Sequence, residues 1–432
     1  MAVKPFVRTR MLEERPAPNL SVGTVGWCRE NLFGSPLNTA LTVISGALVL
    51  YVLSGILPWV FLSVWNAESL EQCREILHER YGEGHSGACW AVVNDRFGQL
   101  LFGFYPTDAY WRPILTFFLL LLALAPVLFN KLPRGMLVFS CLYPFLGVFL
   151  LWGGTIWGPL AALAGFVIGG LAFRALARVN AILAVVGAIL VPVLWWIFLA
   201  GPVAGGLASV LPIGIRPVDS GQFGGFLLSV IIGVTAISAS LPMGILLALG
   251  RQTRLFIVRG FCIGFIEFIR GVPLITLLFV ASTLLNYFLP PGTSFDLIVR
   301  VIIMATLFSA AYLAEVVRGG LAALPKGQYE AADSLGLTYW QAQRLIIMPQ
   351  ALKIAIPGIV SSFIAMFKDT TLVSIIGLLD PIGLSIGIRA NAEWHGIVWE
   401  LYGFIALMFF IFCFSMSRYS LYLEKKLDTG HR

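Results

Sequence analysis

Charge is scarce in this chain: Asp, Glu, Lys and Arg make up 12% of its 432 residues, against about 25% in soluble domains. Hydrophobic residues fill 58% of it, and several runs approach or exceed the roughly 20 apolar residues that cross a bilayer core. A soluble domain is thereby excluded, and the chain reads as an all-α polytopic membrane protein. Histidine is nearly missing, with four scattered copies, so neither a catalytic triad nor a zinc set can be assembled. His78, Glu79, Glu83 and His85 do not have His-Glu-x-x-His spacing and read as part of a solvated acidic helix. No Gly-x-x-x-x-Gly-Lys-Ser/Thr phosphate loop occurs. Residues 1–39 carry Lys4, Arg8, Arg10, Arg15 and Arg29 without an apolar core, which is no signal peptide. The net charge of +7 would suggest nucleic acid in a soluble protein. Here it reports basic cytoplasmic loops, and no nucleic-acid partner is expected.

What is present is a series of apolar segments. Ten spans are read, at 40–65, 113–130, 136–152, 157–173, 181–200, 224–249, 262–289, 297–317, 351–379 and 398–417. A cytoplasmic N-terminus then puts Lys131, Arg134, Arg174, Arg178, Arg251, Arg254, Arg259, Arg318, Lys326 and Arg344 on the inner side. Arg418, Lys425 and Arg432 follow in a cytoplasmic C-terminal tail. The outer side keeps Arg74, Arg80, Arg96, Arg112, Arg216, Arg300 and Arg389, the asymmetry that the positive-inside rule asks for. The expected organisation is a cytoplasmic segment 1–39, an N-terminal transmembrane region 40–221 with a periplasmic loop 66–112, and a second half 222–432. Cys73 and Cys89 fall in that loop, in a compartment where disulfides persist. They are either bridged or two unpaired thiols tucked against helix ends. Cys28, Cys141, Cys262 and Cys413 read as inert packing. Gly154/Gly158, Gly165/Gly169 and Gly201/Gly205 have the GxxxG spacing that allows close helix packing.

The polar stretch 320–349 stands out in the second half. Pro325 suits a helix start, and Gly336 suits the left-handed turn that ends one. Thr338 with Gln341 makes a capping-box pattern for a second helix, Tyr339 to Ile347, which stops before Pro349. Glu330 and Asp333 lie one turn apart, with Ala331 and Ala332 as a small surface beside them. Such a segment is either a rigid knob that plugs into a partner or an amphipathic connector lying along the membrane.

Ionisable groups inside spans cost about 2.5–3.5 kcal/mol each on insertion scales, so each needs a reason. Glu267 with Arg270, and Glu315 with Arg318, are spaced to pair on one helix face. They are either a cytoplasmic gate that exchanges partners or pairs that neutralise one another at the headgroups. Lys368, Asp369, Thr370 and Thr371, extended by Ser374, form a polar stripe above an interruption at Pro357 and Gly358. Broken helices lining a midplane cavity are where transporters hold substrate, and the stripe offers groups of both signs to a zwitterion. It is a candidate translocation path.

Several runs together resemble the permease subunits of polar amino acid ABC importers from about residue 222 to the end. The carriers are Glu267, Arg270, Gly271, Pro273 and Leu274; Ala314, Glu315, Arg318, Gly319 and Gly320; Lys326, Gly327 and Gln328; and Phe367 to Val373. The stretch Glu330, Ala331, Ala332, Gly336, Ile346 and Pro349 resembles the EAA loop, departing only at Met348, where that family usually has Leu. The N-terminal spans, Gly87 to Ala91, Arg112, Pro113 and the tail 415–420 resemble the M-type subunit of broad-range L-amino acid transporters. The fourth and fifth spans are more than that subtype needs. The resemblance implies a five-helix type I ABC importer permease core in a bacterial inner membrane. It also implies coupling through Glu330 to Pro349 to cytoplasmic ATPase subunits, which hydrolyse the ATP. A second, similar permease and a periplasmic amino-acid-binding protein complete the implied complex. No cofactor is expected on this chain, and no enzymatic activity of its own. The competing readings are an ion-coupled secondary amino acid carrier, which calls for inverted repeats, and a non-transporting scaffold, which leaves the stripe at Lys368 unexplained.

Overall fold

A computed structural model of the chain describes residues 23–82, 84–129, 131–284, 287 and 296–427. Lys4, Arg8, Arg10, Arg15, Glu83 and Arg432, assigned sides or roles above, lie outside these residues. The chain divides into a smaller unit that ends at Ala91 and a larger one from Val92 onward.

In the smaller unit, α1 (Gly23–Leu32) leads into α2 (Pro36–Phe61). The Ser35 hydroxyl accepts from the Asn38 amide at 3.1 Å, and Pro36 takes a first-turn position where no N–H is needed. α2 is 26 residues long and apolar, enough to cross a bilayer. Beyond it, α3 (Leu70–Tyr81) turns Cys73 and Leu77 inward. Cys73 is disulfide-bonded to Cys89, with Cα atoms 6.1 Å apart. The Ala88 amide donates to the Trp59 carbonyl at 2.8 Å, and the Ala91 amide to the Val64 carbonyl at 3.1 Å. Gly87 is obligatory at this crossing, because a Cβ there would collide with the Leu62 carbonyl oxygen.

α4 (Ala91–Phe102) opens at the boundary, and the larger unit continues with α5 (Trp111–Leu128) and α6 (Met136–Trp152). An excursion follows: β1 (Gly154–Thr155), α7 (Trp157–Leu176), α8 (Ala181–Leu194), a π turn Trp195–Leu199, α9 (Ala200–Val210) and β2 (Gly214–Ile215). β1 and β2 pair antiparallel, Gly154 opposite Ile215, so the excursion closes on itself where it began. Of the three GxxxG pairs only the middle one is used, Gly165 under Trp196 and Gly169 under Pro192; Gly154, Gly158, Gly201 and Gly205 face open space.

The core follows: α10 (Gly225–Gln252), α11 (Phe256–Gly271), α12 (Leu274–Phe279), α13 (Leu297–Ala322), α14 (Lys326–Ser334), α15 (Tyr339–Ala342), α16 (Met348–Asp369), α17 (Pro381–Ala390) and α18 (Trp399–Leu427). Among the described residues, eight helices are long and apolar enough to cross a membrane. The bent pair α11–α12 makes a ninth, and α6, apolar but only 17 residues long, matches the remaining expected span. All ten expected spans therefore have counterparts, with two corrections. The segment expected at 262–289 is not one helix: α11 and the stretch Leu274–Leu284 meet at 103° across Val272 and Pro273. Proline disfavours helical backbone in the residue before it. Conversely, α16 runs unbroken through Pro357. Gly358 there packs directly on Val316 of α13, and such neighbours hold a membrane helix together across a proline.

α10, α13 and α16 make the central contacts. Gly244 of α10 lies against Leu313 and the Ala310 carbonyl, and Gly320 of α13 lies against the Ala351 carbonyl. Apolar burial continues outward through Leu228, Ile232, Leu278, Val301 and Val373. Gly320→Ala should therefore lower the unfolding midpoint of the detergent-solubilised protein, at a cost of about 1–3 kcal/mol. Gly319→Ala, in open space, should leave the midpoint unchanged or slightly raised.

Asp380 caps α17 and is wholly buried. Burial pushes its carboxyl from 3.8 up to about 6, although the Gly383 and Ile382 amides that it accepts from pull the other way. A carboxyl raised on folding favours the native state when protonated. Its contribution is complete below about pH 4 and is lost as pH rises through about 6. Asp380→Asn should flatten the fall in melting temperature over that window.

Candidate functional site

α14 and α15 build a rigid knob from local rules. The last turn of α14 closes through Gly336, at φ +66°, whose amide donates to the Asp333 carbonyl at 2.9 Å; the Leu337 amide donates to Ala332 at 3.2 Å. Thr338 starts α15 with a complete capping box, its amide donating to Gln341 Oε1 at 2.9 Å. The knob is tied down from below. Gln350 Nε2 donates to Gln328 Oε1 at 3.0 Å, and Tyr329 packs on a cluster that includes Leu324, Ile347 and Met348. Burial there raises the Tyr329 phenol.

Glu330, Ala331, Asp333 and Gly336 are exposed, flanked by exposed Leu335, Tyr339, Trp340 and Leu345. Ala332 is not part of that surface: it is 1% exposed and faces the core, while Ile346 is half-buried. Pro349 does not stop the second helix either. α15 passes through a π turn, Gln343–Ile347, straight into α16, and Pro349 occupies a first-turn position of that helix. The wider π spacing accommodates a residue without an N–H.

Arg251, in the last turn of α10, gathers the charges. Its Nη1 donates to Glu267 of α11 at 3.1 Å and also to Glu315 of α13. Arg318 Nε donates to the other Glu315 oxygen at 2.8 Å. The pairing expected within α13 is present, but the one expected within α11 is not. Glu267 turns to Arg251, and the Arg270 guanidinium sits over the Tyr312 ring at 5.6 Å. The reason is geometric: α11 packs against α10 and α13, with Cys262 and Ile266 in one buried cluster with Leu247, Ala314 and Val317. Glu267 thereby comes within reach of the end of α10. In sequence Arg251 reads as one of the basic loop residues, because its partners lie 16 and 64 positions away.

The polar stripe is not continuous. Thr370 is fully buried, and its hydroxyl donates to the Phe367 carbonyl at 2.7 Å. The Thr371 hydroxyl donates to Lys368 at 2.9 Å, where α16 tightens into the 3-10 turn Thr370–Ile376. Lys368 is exposed and Asp369 half-buried. Of the four, Thr370 lies in the core, and the remaining three keep surface. Among the described residues no group of three His, Cys, Asp or Glu side chains is placed to hold a metal ion.

Removing Arg251 leaves two carboxylates facing one another, one of them with only 16% of its side chain exposed. Arg251→Gln should destabilise the solubilised protein by about 1–2 kcal/mol, between the values for exposed and buried pairs. Adding Glu315→Gln should recover part of that loss, and thermal unfolding of the single and double variants measures both.

Comparison with known proteins agrees with this architecture. The family described as binding-protein-dependent transport system inner membrane component matches residues 240–429. The glutamate/glutamine/aspartate/asparagine transport system permease protein BztC of Rhodobacter capsulatus is 60% identical over 99% of both chains. The inner membrane amino-acid ABC transporter permease protein YhdY of Escherichia coli is 40% identical over 96% of both. A solved amino acid ABC transporter, crystallised with histidines, is 29% identical over 46% of this chain and 91% of its own, with a TM-score of 0.42. Identity at that level over nearly the whole length places the chain in the family of amino-acid ABC transporter permeases, the membrane subunits of type I importers.

Proposed function

We propose that this permease carries polar L-amino acids inward, with the acidic amino acids and their amides as the first class to test. The relative at 60% identity is named for glutamate, glutamine, aspartate and asparagine. The chain is a multi-pass inner-membrane subunit rather than an enzyme, and such permeases work in complexes with an ATPase and other subunits. The finer assignment is that cytoplasmic ATPase subunits dock on the α14–α15 knob through Glu330, Ala331 and Gly336 and hydrolyse the ATP, with no cofactor on this chain. A second homologous permease completes the path, and a periplasmic amino-acid-binding protein delivers the substrate. Both termini then lie in the cytoplasm, and Cys73–Cys89 lies in the periplasm. Arg251, Glu267, Arg270, Glu315 and Arg318 form the inner gate, while Lys368, Asp369 and Thr371 contribute to the path.

The observation that carries this reading is the knob itself. It is an exposed helix–turn–helix, fixed at its base and continuous with α16, which an ion-coupled carrier has no use for. ATP-driven closure of the motor would move two such knobs together and shift the bundle between its two states.

Two experiments test it. In detergent co-purification from cells expressing the candidate subunits, the ATPase should travel with the wild type. It should be lost from Glu330→Arg and from Gly336→Asp, with amino acid uptake falling at least about tenfold; retention in both variants would sink the docking assignment. In intact spheroplasts a membrane-impermeant maleimide should label Cys73 and Cys89 only after reduction. Labelling that needs a permeabilised membrane would reverse the topology.

A further inference from the structure

From residue 109 to residue 218 the chain has six bases and neither Asp nor Glu. Two of the six find partners: Arg112 donates to the Arg216 carbonyl at 2.7 Å, and Arg216 pairs with Asp108 at 3.5 Å. The other four stand at two turns, Lys131 and Arg134 between α5 and α6, Arg174 and Arg178 where α7 gives way to α8. All four are exposed, and among the described residues none has a carboxylate within ion-pair distance. α6 and α7 are apolar helices joined by residues 153–156 only. Phe145 of α6 and Phe166 of α7 meet with ring centroids 5.9 Å apart. Nine residues back from Phe145 is the start of α6, and ten residues on from Phe166 is the end of α7. The two basic turns therefore come out level, at the end of the pair away from its connection.

Helical phase shows what lies between the phenylalanine pair and those turns. Val138 is seven residues before Phe145 and Phe173 seven after Phe166, each about 20° from the face on which the rings meet. Leu142 is about 60° from Phe145. A helix pair in contact along its length would cover these side chains. Instead Val138, Leu142 and Phe173 are 62%, 40% and 44% exposed, and Phe166 itself is 59% exposed. Gly170, about 40° from Phe166, is open as well, since a Cβ there would meet nothing within 4 Å. α6 and α7 thus part beyond the phenylalanine pair and leave an apolar groove about 10 Å long that opens between the two basic turns. Arg134 lies four residues before Val138 and Arg174 four after Gly170, one on each lip. Two guanidiniums at the mouth of an apolar slot match a phosphate with an acyl chain behind it, as basic pockets between membrane helices do.

We propose that the groove between α6 and α7 binds an anionic phospholipid, its acyl chain against Val138, Leu142, Phe166 and Phe173 and its phosphate on Arg134 and Arg174. Lys131 and Arg178 add to the positive field at the mouth. A lipid of no net charge or a second protein helix could fill the apolar walls, but only an anion uses four bases that no carboxylate of this stretch offsets. The leaflet rests on the orientation proposed above, which makes it the cytoplasmic one; the groove and its charge do not. None of these residues belongs to the knob, the Arg251 cluster or the path, so the site stands apart from the proposed function.

The test uses the full chain, with whatever subunits accompany it, in nanodiscs of mixed phosphatidylcholine and phosphatidylglycerol. Native mass spectrometry should find phosphatidylglycerol retained by the wild type and reduced several-fold in Arg134→Gln/Arg174→Gln. Lys425→Gln/Lys426→Gln, which removes the same charge from the end of α18, should retain it as the wild type does. Unchanged retention in the first pair overturns the site, and equal loss in both pairs overturns it in favour of diffuse attraction. Val138→Trp, which fills the groove and keeps every base, should also lose the lipid, and serves if the arginine variant does not fold; retention there at the wild-type level overturns the acyl slot. A benzophenone side chain at position 142 should give a lipid adduct on illumination, whereas an adduct to another protein chain overturns the proposal by making the groove a subunit interface. Failure of the ATPase to co-purify would count against the proposed function alone, because the lipid readings can be made on the permease without it.

Discussion

In a bilayer, helices gain little by leaving lipid for one another, so how closely their backbones approach decides whether a bundle holds. Here that approach is set by Gly244 and Gly320, which bring α10 and α16 against the α13 backbone, and by Gly358, which leaves room for the Val316 side chain. The remaining core elements are arranged about that triad. α11 packs on two of its members, Gly233 makes room for Phe367 and Thr370, and the knob grows from the junction of α13 and α16. The same packing explains why Pro357 leaves no break.

Charges follow a second economy. With few acids available, arginines satisfy themselves on backbone carbonyls. Arg300 donates to Ser282 at 2.7 Å in the π turn after α12, and Arg112 donates to the Arg216 carbonyl at 2.7 Å. Others find carboxylates, Arg96 on Asp95 and Glu393 and Arg318 on Glu315, and Arg251 is shared between carboxylates on two other helices. It is the point where α10, α11 and α13 are tied by charge as well as by packing.

The span pattern and the knob were legible in the sequence because both rest on local rules. Apolar length marks a crossing, a glycine with positive φ ends α14, and Thr338 with Gln341 starts α15. What was not legible depends on contacts between distant residues. The Glu267 and Arg270 spacing fits a pair within one helix, yet the packing of α11 on α10 hands Glu267 to Arg251. Thr370 reads as polar, but a threonine that bonds the carbonyl three residues back can be buried at no cost in unmet hydrogen bonds. Pro357 looked like the break, and the break lies at Pro273, where no glycine-mediated contact bridges the bend.

The stretch from Tyr339 to Ile376 is one helical rod of 38 residues, roughly 55 Å end to end at helical rise. One end is the knob surface, and the other carries Lys368 and Asp369. Held near its middle by Gly320 against Ala351 and Gly358 against Val316, such a rod would pivot about its contact with α13. Displacement at one end would reappear, reversed in direction, at the other, less whatever bending Pro357 takes up. The π turn within it, Gln343–Ile347, is the place where the lever's twist, rather than its tilt, can be reset.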